Sequence, residues 1–175
     1  MYFGQIKKAD TADGIGFRVS LFVSGCRNHC EGCFQPETWN FSYGQKWTPQ
    51  DEENLLKELS KPFYDGITFL GGEVFEEENQ PEILLIIKDI KRLLPQKTIW
   101  CYTGYTWDDL QEGGKKNIPS ITSEILNNTD ILIDGPFILS KLDVSLNYRG
   151  SSNQRIIDVQ QTLKQGKIIL SELNN

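Results

Sequence analysis

Stretches of consecutive apolar residues, each ending at a glycine turn, predict the strands of this chain. "RVSLFVS" (18–24) ends at Gly25, and "ITFL" (67–70) is followed by two glycines. "KTIWCYTGY" (97–105) and "DILIDG" (130–135) repeat the pattern, and "RIID" (155–158) is a candidate for a further strand. These runs are rich in β-branched and aromatic residues, which is typical of buried strands.

Between these runs, apolar residues recur at helical spacing. One helix is predicted to begin after Thr48, with Pro49 at its first position and Leu55, Leu56 and Leu59 on its apolar face. A longer helix begins near Pro81, and five residues predict its buried face: Ile83, Leu84, Ile87, Ile90 and Leu94. Shorter helices are expected from about Thr106, over 123–127 and before "KIIL", while 136–154 is expected to be irregular.

The alternation of strand, loop and helix predicts an α/β fold with a mainly parallel sheet in one domain, residues 1–175. The loops that follow the predicted strands are "GCRNHCEGC", "GGE", "TGY" and "DGPF". In barrel-like α/β folds the chemistry lies on the loops at the carboxyl ends of the strands. If the sheet curls, we expect these four loops to meet at one rim.

Composition narrows the class of protein. The chain has 38% hydrophobic and 24% charged residues and a net charge of −6, which indicates a globular protein without general affinity for nucleic acid. It has no apolar run long enough to span a membrane and no signal-peptide pattern at its start, so we expect a cytoplasmic protein without membrane association. In a reducing compartment, clustered cysteines are metal ligands or catalytic groups more often than disulfides.

Three of the four cysteines lie close together, with the spacing C-x3-C-x2-C at Cys26, Cys30 and Cys33. A disulfide would leave one of them unpaired, and a redox dithiol of Cys30 and Cys33 would leave Cys26 without a role. Structural zinc needs a fourth ligand, for which His29 and Cys101 are the candidates. A [4Fe–4S] cluster held by three thiolates would keep one iron open for a substrate. The spacing alone leaves these alternatives open.

Beyond the cysteines, the chain resembles the radical S-adenosylmethionine enzymes, and among them the activating proteins of the anaerobic (class III) ribonucleoside-triphosphate reductases. The resemblance is carried by "LFVSGCRNHCEGCF", "ITFLGGE", "WCYTGY", "DILIDGPF" and "YRGSSNQRIID", which together extend over most of the chain. It implies a truncated, incomplete β/α barrel with a curled sheet. "RGSSNQR" favours the reductase-activating group.

The resemblance also implies the chemistry. Cys26, Cys30 and Cys33 would hold a [4Fe–4S] cluster at the catalytic centre, and S-adenosylmethionine would bind its fourth iron. Reductive cleavage of this cofactor would generate a 5′-deoxyadenosyl radical, which would produce a glycyl radical on the anaerobic ribonucleoside-triphosphate reductase. The reductase would be one partner and an electron donor of unknown identity the other.

By the same resemblance, six residues would contact S-adenosylmethionine: Gly32, Cys33, Phe34, Gly71, Gly72 and Glu73. The backbone of Gly32 and Phe34, on either side of Cys33, would meet the adenine. Gly71 and Gly72 would lie at the methionyl amino group with Glu73 nearby, since glycines allow the backbone to approach a ligand closely. As alternatives, Gly71 and Gly72 would form a plain turn, and Phe34 would pack in the core.

Two stretches depart from this pattern or are not explained by it. Val74 stands where the family usually has a proline, and the acidic run 76–78 is interpreted as solvated surface. Arg149 and the polar residues 150–155 would either position the cofactor or the reductase, or organise their own backbone.

Two other functions are compatible with the motifs. One is a different radical S-adenosylmethionine enzyme that modifies a small molecule such as a purine-like precursor. The other is a zinc-binding interaction module without catalytic activity.

Overall fold

The computed structural model describes residues 1–174. Seven strands form one sheet: β1 (Tyr2–Asp10), β2 (Arg18–Val23), β3 (Gln45–Lys46), β4 (Gly66–Gly71), β5 (Thr98–Tyr102), β6 (Ile131–Asp134) and β7 (Arg155–Asp158). Five α-helices accompany them: α1 (Pro49–Leu59), α2 (Gln80–Leu93), α3 (Trp107–Leu110), α4 (Ile121–Asn128) and α5 (Val159–Gln165). Short 3₁₀ helices lie at Pro36–Trp39, Leu139–Lys141 and Glu172–Asn174. Within 1–174, no helix combines the length and the apolar character needed to cross a bilayer.

The strand order is β3-β1-β2-β4-β5-β6-β7, and the four central strands β2, β4, β5 and β6 run parallel. β1 pairs antiparallel with both β2 and β3, and β7 pairs antiparallel with β6. The pairing describes an open mixed α/β sheet with edges at β3 and β7. The predicted α/β class and the parallel central strands are therefore confirmed, whereas β1 and β3 were not predicted. The expected curl of the sheet is wrong, because the seven strands form one open, uncurled sheet.

The predicted helix faces explain how the sheet is covered. Ile83, Ile87 and Ile90 of α2 are fully buried and belong to the same apolar core as Leu21 of β2 and Phe69 of β4. β2 is buried at every position, as expected for a central strand of a parallel sheet. A smaller apolar cluster of Trp100, Ile133 and Ile156 lies apart from the main core.

Local signals in the sequence place the start of α1. Thr48 accepts a hydrogen bond from the Asp51 amide, the Asp51 carboxylate accepts one from the Thr48 amide at 2.9 Å, and Pro49 occupies the first helical position. This reciprocal capping satisfies backbone donors that the first turn leaves free. The predicted helix boundary is confirmed.

Candidate functional site

The loops that follow the four parallel strands line one cavity of about 590 Å³. The loop after β2 contributes all three clustered cysteines, and the loop after β4 contributes Gly71, Gly72 and Glu73. Thr103 and Gly104 follow β5, and Gly135 and Phe137 follow β6. The predicted convergence of these loops is confirmed, because parallel neighbours place their carboxyl ends at the same edge of the sheet.

The cysteine loop is anchored at its start by the end of β2 and the 3₁₀ helix at Pro36–Trp39. The Gly25 amide donates to the Thr38 carbonyl at 2.8 Å, and the Cys26 amide donates to the Trp39 carbonyl at 3.3 Å. Cys26 is buried, while Cys30 and Cys33 are partly exposed, and all three thiols are free. The Cys33 amide donates to the Cys30 carbonyl at 3.1 Å, which closes a turn around the second and third thiols.

Backbone amides point at two of the sulfurs. Burial raises the pKa of the Cys26 thiol to about 11, although the amides of Asn28 and His29 donate to its sulfur and lower it. Burial also raises the pKa of Cys30, opposed by an amide donor from Phe137. A cation bound between these sulfurs would supply the positive charge that deprotonates them. Amide donors aimed at sulfur are also a feature that tunes iron–sulfur sites. The donor set therefore fits such a cluster.

Neither candidate for a fourth protein ligand lines the cavity. The exposed His29 ring stacks on Trp39 at a centroid distance of 4.6 Å. Cys101 is fully buried in β5 with its sulfur 3.6 Å from the Thr129 hydroxyl, as predicted for an inert thiol. Within residues 1–174, no three His, Cys, Asp or Glu side chains are grouped to hold a single metal ion. A cubane cluster does not need such a group, because each thiolate binds a different iron.

Gly71 and Gly72 line the cavity, and the protein's own backbone explains why they are glycines. Gly71 has φ +108°, and a Cβ there would lie 2.8 Å from the Cα of Phe22. A Cβ on Gly72 would lie 2.7 Å from the Gly25 carbonyl oxygen. These positions lack room for a side chain on the side of β2, where the loop after β4 packs against the cysteine loop.

Glu73 is buried and accepts four hydrogen bonds. Its Oε1 accepts from the Phe75 amide at 3.0 Å and the Thr103 hydroxyl at 2.8 Å, and its Oε2 accepts from the Gly104 amide at 2.7 Å and the Asn28 amide group at 3.1 Å. Burial raises the pKa of this carboxyl to about 7 against these donors, which favour the charged form. Glu73 therefore joins the loops after β2, β4 and β5.

The aromatic residue after the last cysteine does not pack in the core. Phe34 is 72% exposed, and its ring centre lies 5.1 Å from that of Phe137 at the cavity. Gly32 has φ +72°, and a Cβ there would lie 2.8 Å from the Leu139 side chain, but Gly32 itself does not line the cavity. The core-packing alternative for Phe34 is wrong, and its ring is free to contact a ligand at the mouth of the cavity.

The interpretation of the acidic run 76–78 as solvated surface is wrong for its first residue. Glu76 is fully buried and forms ion pairs with Arg27 at 2.7 Å and Lys116 at 2.6 Å. Burial disfavours its charge, but the hydrogen bonds from Lys116 and Arg27 hold the pKa of Glu76 below its usual value. Glu77 and Glu78 are exposed, as predicted.

The polar stretch after Arg149 organises its own backbone and also lines the cavity. Arg149 donates to the Gln154 carbonyl at 3.3 Å and to the Asn174 carbonyl at 3.1 Å. The Gln154 side chain accepts from the Gly150 amide at 2.9 Å and donates to the Gly135 carbonyl at 3.1 Å. Arg149, Gly150 and Gln154 are nevertheless part of the cavity wall. Both interpretations of this stretch are therefore compatible with its position.

β1, which the sequence did not predict, and the segment after it add Lys7 and Asp13 to the wall. Burial raises the pKa of Asp13 to about 7, with a further contribution from the neighbouring carboxyl of Asp10. The Tyr102 hydroxyl and the Arg149 Nε are buried and have no hydrogen-bond partner within 1–174. For these wall residues, the sequence offered one indication: Tyr102 directly precedes the predicted "TGY" loop.

Comparison with known proteins gives consistent matches. Residues 12–157 match the model of a family described as a 4Fe-4S single cluster domain. An anaerobic ribonucleoside-triphosphate reductase-activating protein of Enterobacteria phage T4 is 35% identical over 156 residues, which are 89% of this chain and 93% of that protein. Proteins of the same name from Vibrio cholerae and Escherichia coli K12 are each 34% identical. The matches cover 89% and 88% of this chain and 97% and 96% of theirs.

Proposed function

The chain belongs to the family of the anaerobic ribonucleoside-triphosphate reductase-activating proteins, and we propose on this premise that it is a radical S-adenosylmethionine enzyme. Its substrate would be the reductase itself, on which it generates a glycyl radical. The observation that carries the proposal is that three free thiols and the glycine-bearing ends of the neighbouring parallel strands line the same cavity.

In this proposal Cys26, Cys30 and Cys33 hold a [4Fe–4S] cluster, and one iron has no ligand from the chain. Cys26 contributes a buried sulfur at the base of the loop, and the other two contribute partly exposed sulfurs nearer solvent. The cluster and S-adenosylmethionine, when bound, supply the reductive cleavage that yields a 5′-deoxyadenosyl radical, with the electron coming from a separate donor. The chain's own part is to hold and orient both groups.

The cofactor would occupy the space between the cysteine loop and the ends of β4 and β5. The cavity volume of about 590 Å³ falls in the range of small-molecule sites, about 300–1,000 Å³. Gly71 and Gly72 would present backbone at the methionyl end, with Glu73 behind them, and Phe34 would lie at the adenine end, whereas Gly32 is not part of the cavity wall.

The partner would be the reductase, as the names of the relatives indicate for those proteins. Its glycine must come close to the cofactor, and the mouth of the cavity is bordered by exposed apolar side chains, among them Phe34 and Leu142. We further propose that the open sheet is a truncated radical S-adenosylmethionine barrel in a single domain, and that the missing wall leaves this mouth open.

Anaerobic reconstitution tests the proposal directly. The wild-type protein is expected to bind about four irons per chain and to cleave S-adenosylmethionine when reduced. Cys30→Ala should abolish the cleavage, whereas the matched Cys101→Ala, which removes a buried thiol outside the cavity, should retain it. Cleavage that persists in Cys30→Ala would contradict the ligand assignment.

Mixing the reduced protein with an anaerobic ribonucleoside-triphosphate reductase tests the substrate. Electron paramagnetic resonance should then show a glycyl radical on the reductase that depends on S-adenosylmethionine. Cofactor cleavage without a glycyl signal would instead indicate a small-molecule substrate, and a colourless protein with one zinc per chain would indicate the non-catalytic module.

A further inference from the structure

Two buried carboxylates hold the segment between the first and second clustered cysteines. We propose that Glu73 and Glu76 are positioning residues that fix the path of the chain from Cys26 to Cys30 before any cluster is bound. The inference deepens the proposed function, since it rests on those cysteines being cluster ligands. Neither carboxylate needs to touch the cluster, because both act through Arg27 and Asn28.

Glu76 holds Arg27 by its backbone and by its side chain. Its Oε1 accepts from the Arg27 amide at 2.9 Å, and its Oε2 accepts from the Arg27 guanidinium at 2.7 Å. Lys116 donates to the same Oε2 at 2.6 Å, and the Tyr105 hydroxyl donates to Oε1 at 3.3 Å. Hydrogen bonds between charged groups are about twice as strong as neutral ones. The Glu76 carboxylate is fully buried, so water does not compete at its oxygens, although the Arg27 side chain is half-exposed.

Glu73 holds the next residue of the loop, Asn28, at 3.1 Å. Because its other partners are Phe75, Thr103 and Gly104, this carboxylate is fixed by the loops after β4 and β5. Gly104 also lies against the Asn28 side chain, where a Cβ on the glycine would be 2.4 Å from Nδ2. Asn28 is therefore restrained by hydrogen bonding and by steric contact.

The loop that carries the two carboxylates is itself fixed to β2. The Gly72 amide donates to the Val23 carbonyl and the Glu73 amide to the Gly25 carbonyl, both at 2.8 Å. The Asn79 side chain, next to the start of α2, donates to the carbonyls of Ser24 and Glu73 at 3.0 and 2.9 Å. The carboxylates thus hold the cysteine loop in a fixed position relative to β2 and α2.

The segment they hold has little regular structure of its own. Arg27, Asn28 and His29 belong to no helix or strand, and His29 has φ +45°. The amides of Asn28 and His29 donate to the Cys26 sulfur, which fixes them to the first cysteine but not to the rest of the fold. Beyond the carboxylates, the segment contacts Trp39 through the stacked His29 ring, Phe41 through Arg27 and Gly104 through Asn28. The polar attachment of this segment therefore depends on Glu73 and Glu76, with Glu78 as an exposed addition.

Thiol alkylation of the iron-free protein tests the proposal without relying on activity. In Glu76→Gln, the loss of charge weakens the hold on Arg27, and iodoacetamide should modify the buried Cys26 on the order of tenfold faster than in the wild type. That is the factor expected from losing one hydrogen bond to a charged group. Cys101 is the internal control, because it is buried in β5 away from the loop and its rate should not change.

Glu58→Gln is the matched control variant. Glu58 is 12% exposed and accepts from Lys61 at 2.7 Å and Tyr64 at 2.8 Å, but it lies at the end of α1, outside the cavity wall. This variant should leave the Cys26 rate at the wild-type value. Two results would overturn the proposal: equally faster alkylation of Cys26 in both variants, or faster alkylation of Cys101 together with Cys26. Either would show that Glu76 stabilises the whole fold and does not specifically hold the cysteine loop.

Reconstituted protein gives a second measurement. In Glu76→Gln the reduced cluster should show an altered electron paramagnetic resonance spectrum and should lose iron to a chelator several-fold faster, with both properties unchanged in Glu58→Gln. Cooperative unfolding shows whether Glu76→Gln has a native fold. If it has not, Asn28→Ala is used in its place: this variant removes the hydrogen bond to Glu73 and should accelerate the alkylation of Cys26 in the same way. Unchanged Cys26 reactivity in a folded Glu76→Gln or Asn28→Ala protein would overturn the proposal. A wild-type protein that takes up no iron would instead defeat the proposed function.

Discussion

Replacing Gly71 by alanine tests whether the end of β4 is determined by contact with β2. The new Cβ would lie 2.8 Å from both the Phe22 Cα and the Val23 carbonyl oxygen, which are backbone atoms of a central strand and cannot move independently. Gly71 also has φ +108°, a conformation that L-residues rarely adopt. The substitution therefore has two separate free-energy costs, one from the steric contact with β2 and one from the backbone conformation.

The magnitude follows from the two costs. Left-handed backbone costs an L-residue about 1–2 kcal/mol, and overpacking against fixed atoms costs about 1–3 kcal/mol. The free energy of unfolding should therefore fall by about 2–5 kcal/mol in Gly71→Ala. Gly113→Ala is the matched control: Gly113 has φ +82°, but a Cβ there has nothing within 4 Å. It should show the backbone cost alone, about 1–2 kcal/mol.

Urea unfolding of the iron-free protein measures both variants under the same conditions. The reduced entropy of an alanine-containing unfolded chain, worth about 0.4–1 kcal/mol, applies to both and cancels in the comparison. Gly71→Ala should be less stable than Gly113→Ala by about 1–3 kcal/mol, with equal dependence on urea concentration. Equal stabilities of the two variants would show that β2 does not restrict Gly71, and the steric reasoning would be wrong.

Three further predictions concern individual side chains. Cys101→Ser should lower the free energy of unfolding, measured in urea, by about 1–3 kcal/mol, because it buries a hydroxyl in an apolar strand. Its iron content should equal that of the wild type, and a loss of iron would show that Cys101 is a ligand. The hydrogen bond from Lys61, with that from Tyr64, lowers the pKa of Glu58 to about 2, so the stability that Glu58 contributes is present above about pH 4.5 and is lost as the pH falls toward 2. Thermal unfolding of wild type and Glu58→Gln should thus converge over this range, and a constant difference would contradict the shift. Phe34→Ala should change the free energy of unfolding by less than about 1 kcal/mol, since the ring is 72% exposed. The same variant should bind S-adenosylmethionine more weakly in calorimetry. Unchanged binding would show that Phe34 is not part of the cofactor site.

The predictable part of this fold is the part with a local signal. The capping box at Thr48 involves residues three positions apart, and the isoleucines of α2 are a few residues apart, so a short window contains the information. The cysteine spacing and the glycines after the strands are local as well. Together these features predicted the central strands, the longer helices and the convergence of the loops on one cavity.

The parts that were missed depend on distant partners. Glu76 is buried because Arg27 and Lys116, 49 and 40 residues away, donate to it, and no window around the acidic run contains either of them. β1 contains Gly4, two lysines and a burial pattern without clear alternation, so its residues lack the signature of a strand. Its place in the sheet is set by pairing with β2 and β3. Tertiary contacts decide both cases, as is common for strands and buried charges.

The two borders of the sheet also determine how the protein behaves at high concentration. β3 has only two residues, one of them a lysine, and the outer side of β7 is occupied by the segment around Leu170. Short, charged or covered borders give strands of another copy little to pair with, which is how soluble sheets avoid polymerising. A chain purified without its iron should therefore tolerate the concentrations and the long incubations that loading with iron and sulfide requires.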